Sequence, residues 1–204
     1  MGLVRPQVAC RREELMRYIC TSIVATLVLA GTTFADTINV PADYATIQAA
    51  VDAAVGGDEV VVAPGTYTGT GDEVVNTAGK AIWLHSSDGP EATIISGENA
   101  RRCMLVSSGE STSTVIEGFT LTNGNTSSGG GLGCYSSSPT ITNCAFTNNY
   151  AGRGVGAEVS SSNVHLIDCI FSNNTVRHDG RGMVIGFGSA VLTNCSFISN
   201  NTEQ

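Results

Sequence analysis

The sequence predicts an all-β protein, a parallel β-helix (solenoid) of about six coils with an N-terminal capping helix. Three observations predict it. Charged residues make up 14% of the 204 positions, below the usual quarter of a soluble domain, and there are 24 glycines. A helical bundle needs more Ala, Leu, Glu and Lys on its surface, and a hydrophobic content of 42% is too high for a disordered chain. The second observation is a repeat. ITNCAFTNN from Ile141, LIDCIFSNN from Leu166 and LTNCSFISN from Leu192 align without gaps, and IEGFTLTNG from Ile116 joins them. Phe119, Cys144, Cys169 and Cys195 share one column, and Leu121, Phe146, Phe171 and Phe197 another. A fixed period of about 25 residues marks a solenoid. The third is local. Ile141, Cys144 and Phe146 alternate with outward residues except at Asn143, and that one-residue slip is what a bend between two strands requires. A leucine-rich repeat also fits the period, but it needs apolar residues on its convex side, and the rest of each repeat here is Gly, Ser, Thr and Asn.

Residues 1–35 read as a leader. Arg17 precedes a run of 12 apolar or small residues from Ile19 to Ala30, and Thr33 and Ala35 occupy the small-residue cleavage positions. The run is shorter than the roughly 20 residues that span a bilayer, so a signal peptide is expected rather than a transmembrane helix. Met16 is the expected true start. Without the leader, 6 basic and 16 acidic residues remain, a net charge of −10, with Lys80 the only lysine. Such a surface repels phosphate backbones and argues against nucleic-acid binding.

Residues 36–59 form an expected N-terminal strand and capping helix. Ile47, Ala50, Val51 and Ala54 have helical spacing, and Asp43 or Thr46 could cap the start. The helix would cover the open end of the sheets. Residues 60–204 form the expected β-helix, with coils near 60–79, 81–100, 103–124, 130–149, 155–174 and 181–201. The corner column Gly118, Asn143, Asp168 and Asn194 holds residue types that tolerate a left-handed backbone. The column Gly124, Asn149, Asn174 and Asn200 is expected to form an amide ladder between coils about 4.8 Å apart. Cys144, Cys169 and Cys195 are expected as buried free thiols beside a Phe146, Phe171 and Phe197 ladder, since parallel side chains do not converge as a disulfide requires. The last coil reaches Gln204 without a cap, so further coils or a partner are expected at that end.

TINVPADYATIQAAVDAAVGGDEVVVAPGTY from Thr37, AIWL from Ala81, EATIISG from Glu91 and STVIEGFTLTNG from Ser113 resemble the opening of right-handed parallel β-helix proteins of the pectate lyase-like superfamily. The closest resemblance is to its exported bacterial members. The elements Phe146 to Asn149, Phe171 to Asn174 and Phe197 to Asn200 also resemble polymorphic outer-membrane-protein repeats. The likeness covers about residues 37–201. It implies a right-handed β-helix and an exported, secreted or cell-surface location. Lyases of the superfamily use an Arg or Lys base with calcium held by acidic residues, and its hydrolases and esterases use paired carboxylates.

No acidic cluster falls in register along the repeats, and with only Gln48 in the coil or cap region the glutamines of the esterases have no matching positions. The most polar group is Arg177, His178, Asp179 and Arg181, expected in the turn before the last coil. Arg153 is expected in the equivalent preceding turn, so that an Arg pair would meet an anionic sugar. A solvated loop is the simpler reading. Trp83 alternates with inward Ile82 and Leu84 and should face outward, packed under residues 86–91 or free to stack on a sugar ring. No metal site and no cofactor are expected, with calcium implied only for a lyase. The function expected is a non-catalytic exported or cell-surface scaffold, or a rod that binds carbohydrate or other surface components. The alternative is a polysaccharide lyase or related carbohydrate-active enzyme such as a glycoside hydrolase.

Overall fold

A computed structural model describes residues 35–180 and 182–203. The leader and the Met16 start lie outside the described residues, as do Arg181, Gln204 and the side chain of Asp179.

The body is a parallel β-helix of about six coils. A first sheet stacks Thr37–Val40, Glu59–Val62, Trp83–Ser86, Val115–Glu117, Thr140–Thr142, Asn163–Ile167 and Ser189–Thr193. A second stacks Gly65–Tyr67, Thr93–Ser96, Thr120–Thr122, Ala145–Thr147, Ile170–Ser172 and Ser196–Ile198. In the later coils a third sheet follows, Asn125–Ser128, Tyr150–Arg153, Thr175–Asp179 and Asn201–Thr202. A fourth returns the chain through Glu73–Asn76, Arg102–Val106, Leu132–Tyr135, Ala157–Ser160 and Met183–Gly186. Every strand pair is parallel, because each strand stacks on its counterpart one coil earlier.

The alternation of the sequence becomes columns of like residues. In the first sheet Ile38, Val60, Leu84, Ile116, Ile141, Leu166 and Leu192 are in register, and all but the two end residues are fully buried. In the second, Phe146, Phe171 and Phe197 stack face to face, with centroids 4.6 and 4.7 Å apart. The coil spacing thus doubles as an aromatic stacking distance. Gly156 faces this stack: a Cβ there would lie 2.4 Å from the Gly182 carbonyl oxygen and 2.7 Å from Phe171.

The corners are single residues. Gly118, Asn143, Asp168 and Asn194 turn the chain from the first sheet to the second with φ of 78, 50, 53 and 53°. Asn123, Asn148, Asn173 and Ser199 do the same after the second sheet. The next residue along from this corner points inward. Oδ1 of Asn149 accepts the Gly124 N–H at 2.8 Å, and Oδ1 of Asn174 accepts the Asn149 N–H at 3.0 Å. Oδ1 of Asn200 accepts the Asn174 N–H at 3.2 Å. Each amide Nδ2 in turn donates to a backbone carbonyl one coil back, of Leu121, Phe146 or Phe171. The outer corner column behaves differently. Asn143, Asp168 and Asn194 are exposed, and within it Asn194 donates to Asp168 at 3.0 Å.

The helix, α1 (Ile47–Ala53), buries Ile47, Ala50 and Val51 against the first coil. Thr46 is its N-cap, accepting the Ala49 N–H. Asp43 instead closes the preceding turn by accepting the Asn39 N–H. Lys80 holds the other end: its Nζ donates to the carbonyls of Val51, Asp52 and Ala54 at 2.7, 2.6 and 2.6 Å. These are carbonyls that a helix end leaves without intrahelical partners. Lys80→Met keeps the stem and removes the donors. It is expected to lower stability by about 1–3 kcal/mol, and to speed amide exchange across residues 47–53 before the coils open. Unchanged exchange there would show that packing alone holds the helix.

Candidate functional site

The outer face of the first sheet carries the one aromatic–acidic cluster among its strands. Trp83, 42% exposed, stands on that face. Its ring stacks on His85, two residues along the same strand, with centroids 4.0 Å apart and planes 20° from parallel. Its Nε1 donates to Oε2 of Glu117, on the next coil, at 3.0 Å. His85 Nε2 lies 2.9 Å from Oε1 of Glu59, on the previous coil, and Thr37 Oγ1 donates to Oε2 of Glu59 at 2.8 Å. Two diagonal contacts therefore fix the indole and the imidazole from opposite sides. The Thr37 hydroxyl first and His85 second hold the Glu59 carboxyl below the usual glutamate range.

Nδ1 of His85 faces the Ser86 carbonyl at 3.2 Å. Both ring nitrogens thus face oxygen atoms, Nε2 the Glu59 carboxylate and Nδ1 the Ser86 carbonyl. Glu59 is thus contacted by His85 and the Thr37 hydroxyl, whereas Glu117 is contacted by the neutral indole N–H.

The sequence pointed to Trp83 but not to the carboxylates around it. Register along the repeats had shown no acidic cluster, and the structure assembles one from Glu59 and Glu117 with His85 between them. Trp83 rests on His85 rather than under residues 86–91.

The Arg177 group is arranged differently from the sequence expectation. Thr175–Asp179 is a strand of the third sheet, not a turn. A bulge shifts the register, so that Arg153 lies opposite Asp179 rather than Arg177. Arg153 Nε approaches Glu158 at 3.8 Å, while Arg177 donates to the Tyr150 hydroxyl at 2.6 Å and lies over its ring. Tyr150 in turn donates to Glu203 at 2.5 Å. The two guanidiniums face different partners and make no common clamp. His178 is exposed on the same strand.

Cys103, Cys134, Cys144, Cys169 and Cys195 are all free, and only Cys195, on the last coil, is not fully buried. Burial pushes the Cys103 and Cys169 thiols up to about 12 and the Cys134 thiol up to about 11, and raises Cys144 as well. Thiolate chemistry needs the opposite shift, so the cysteine ladder is core. No group of His, Cys, Asp and Glu among the described residues could hold a metal ion, and no described helix is long and apolar enough to cross a membrane. A cleft of about 800 Å³ beside α1 is lined by Gln48, Asp72, Glu73, Glu98 and Arg101. Its polar groups are largely turned on the protein: Gln48 bonds the Asn76 backbone, and Arg101 bonds the Gly69 and Gly71 carbonyls and pairs with Glu98.

Fold and site together define a β-solenoid with an exposed aromatic patch on one flat face. Residues 73–203 match the family described as right handed beta helix region, and the chain belongs to that family. No curated protein and no solved structure matches it.

Proposed function

We propose that this is an exported or cell-surface β-helix that binds carbohydrate, without turning it over, on the outer face of its first sheet. The observation that carries this reading is Trp83, an indole left 42% exposed yet fixed by two neighbours. A prepositioned apolar plane loses little conformational entropy when a sugar ring stacks on it. The non-catalytic part rests on Arg153 and Arg177, engaged with Glu158 and with Tyr150 respectively, so that these two described guanidiniums form no pair to act on a uronate. The likeness to pectate lyase-like proteins is consistent with a polysaccharide ligand.

Trp83 is the only tryptophan, so its fluorescence reports on the patch directly. Titration with a panel of neutral, amino and acidic oligosaccharides is expected to give a saturable change with at least one class. Calorimetry on Trp83→Ala is expected to show binding weakened roughly tenfold or more. Equal binding by Trp83→Ala would remove the patch from the reading. Calcium-dependent release of unsaturated products from uronate polymers, followed by ultraviolet absorbance, would overturn the non-catalytic part.

A further inference from the structure

We propose that the Trp83 patch selects a hexosamine ring bearing a free ammonium group, rather than a neutral or an acidic sugar. This rests on the reading of Trp83 as a sugar platform and adds to it the charge of the ligand.

The argument begins with what the face lacks. The seven strands of the first sheet contain no lysine and no arginine. Their ionisable side chains are Glu59, His85, Glu117 and His165. Glu59 and His85 face each other at 2.9 Å, and the second oxygen of Glu59 is taken by Thr37. Glu117 is different. One of its oxygens accepts the indole N–H, its register partner His85 turns its ring nitrogens to Glu59 and the Ser86 carbonyl instead, and no cationic side chain among the described residues forms an ion pair with it. His165 is two coils away from Glu117 along the sheet, about 10 Å at about 4.8 Å per coil, beyond the screening length of about 8 Å at physiological salt. One uncompensated carboxylate therefore sits at the edge of an exposed indole.

Both parts of this arrangement attract a cation. The ring face carries negative quadrupole density, and the carboxylate carries a full charge. The apolar face of a pyranose covers the indole, and an ammonium substituent at the rim of that ring reaches Glu117. A uronate would set its carboxylate against Glu117 instead. The net charge of −10 over residues 36–204 acts in the same direction at longer range.

The test uses the full chain in mildly acidic buffer, with Trp83 fluorescence as the readout. Four probes are titrated at low and high salt: a glucosamine oligomer, its N-acetylated counterpart, oligogalacturonate and spermidine. The glucosamine oligomer is expected to bind about tenfold tighter than the N-acetylated form at low salt, with the ratio shrinking as salt rises. Oligogalacturonate and spermidine are expected to give the weakest responses. In Glu117→Gln the amide oxygen still accepts the indole N–H, so the ring stays in place while the ratio falls towards one. Equal binding of the two hexosamine oligomers would overturn the charge selection and leave the platform standing. So would an unchanged ratio in Glu117→Gln. Spermidine binding as well as the oligomer would show that the sugar ring is not recognised. No response to any sugar, in the full panel as well, would overturn both this inference and the function it builds on.

Discussion

Asn174→Ala is expected to lower stability by about 3–5 kcal/mol, one of the largest losses available from a single polar side chain here. The side chain is fully buried and makes four hydrogen bonds. Its Nδ2 donates to the Phe146 carbonyl at 2.9 Å and to Oδ1 of Asn200 at 2.9 Å. Its Oδ1 accepts the backbone N–H of Asn149 at 3.0 Å and the Asn149 amide at 3.1 Å. Truncation strands a buried backbone donor, the Asn149 N–H, and a buried backbone acceptor, the Phe146 carbonyl, at once, each costing about 1–3 kcal/mol. A corner residue makes the comparison. Asn143→Gly is expected to change stability by less than about 0.5 kcal/mol, because the side chain is exposed and φ is already 50°, where glycine is at ease. Chemical denaturation of both variants, with amide exchange at Asn149, measures the difference. A loss below about 1 kcal/mol for Asn174→Ala would show that the ladder follows the coil rather than holding it.

The contrast between Asn174 and Asn143 also shows what a sequence conveys about a solenoid. Where the repeat is regular, one column of identical residues is one environment, so the Phe ladder, the inward thiols and the positive-φ corner could be read from alignment alone. The two asparagine columns look alike in sequence and differ in depth, because a left-handed corner residue projects outward while the residue after the second corner turns inward. The Trp83 patch was hidden for another reason. Glu59 and Trp83 are register partners 24 positions apart, but Trp83 and Val115 are 32 apart. Residues 107–114 lengthen that coil and break the period, so Glu117 falls beside Trp83 only once backbone pairing is known. The bulge between Ala151 and Arg153 misled in the opposite sense, since constant spacing paired two arginines that the strands separate.

The same long coil contains the second large effect. Glu110 is buried where residues 107–114 fold back, and its carboxylate gathers four donors from three coils. Oε1 accepts the Thr77 hydroxyl at 2.5 Å and the Gly79 N–H at 2.8 Å. Oε2 accepts the Ser108 N–H at 2.7 Å and the Ser137 hydroxyl at 2.7 Å. Burial alone would raise its pKa, but the Thr77 and Ser137 hydroxyls and the backbone N–H groups of Gly79 and Glu110 outweigh it and hold the carboxyl below its ordinary 4.5. Glu110→Gln preserves the shape and turns an NH₂ group toward one pair of donors. A hydroxyl can rotate away, but a backbone N–H cannot, so either Gly79 or Ser108 loses its acceptor. The expected loss is about 2–3 kcal/mol near neutral pH. The sign with pH follows from the direction of the shift. A depressed folded-state pKa contributes stability above the unfolded value, and that contribution disappears as pH falls through the folded one. The wild type should therefore lose stability as the pH drops below about 4.5, while Glu110→Gln, with nothing to titrate there, should lose less. The two denaturation curves should converge in acid. A constant gap from neutral pH into acid would mean that Glu110 acts through packing, and that the coil is held by Thr77, Ser108 and Ser137 without its charge.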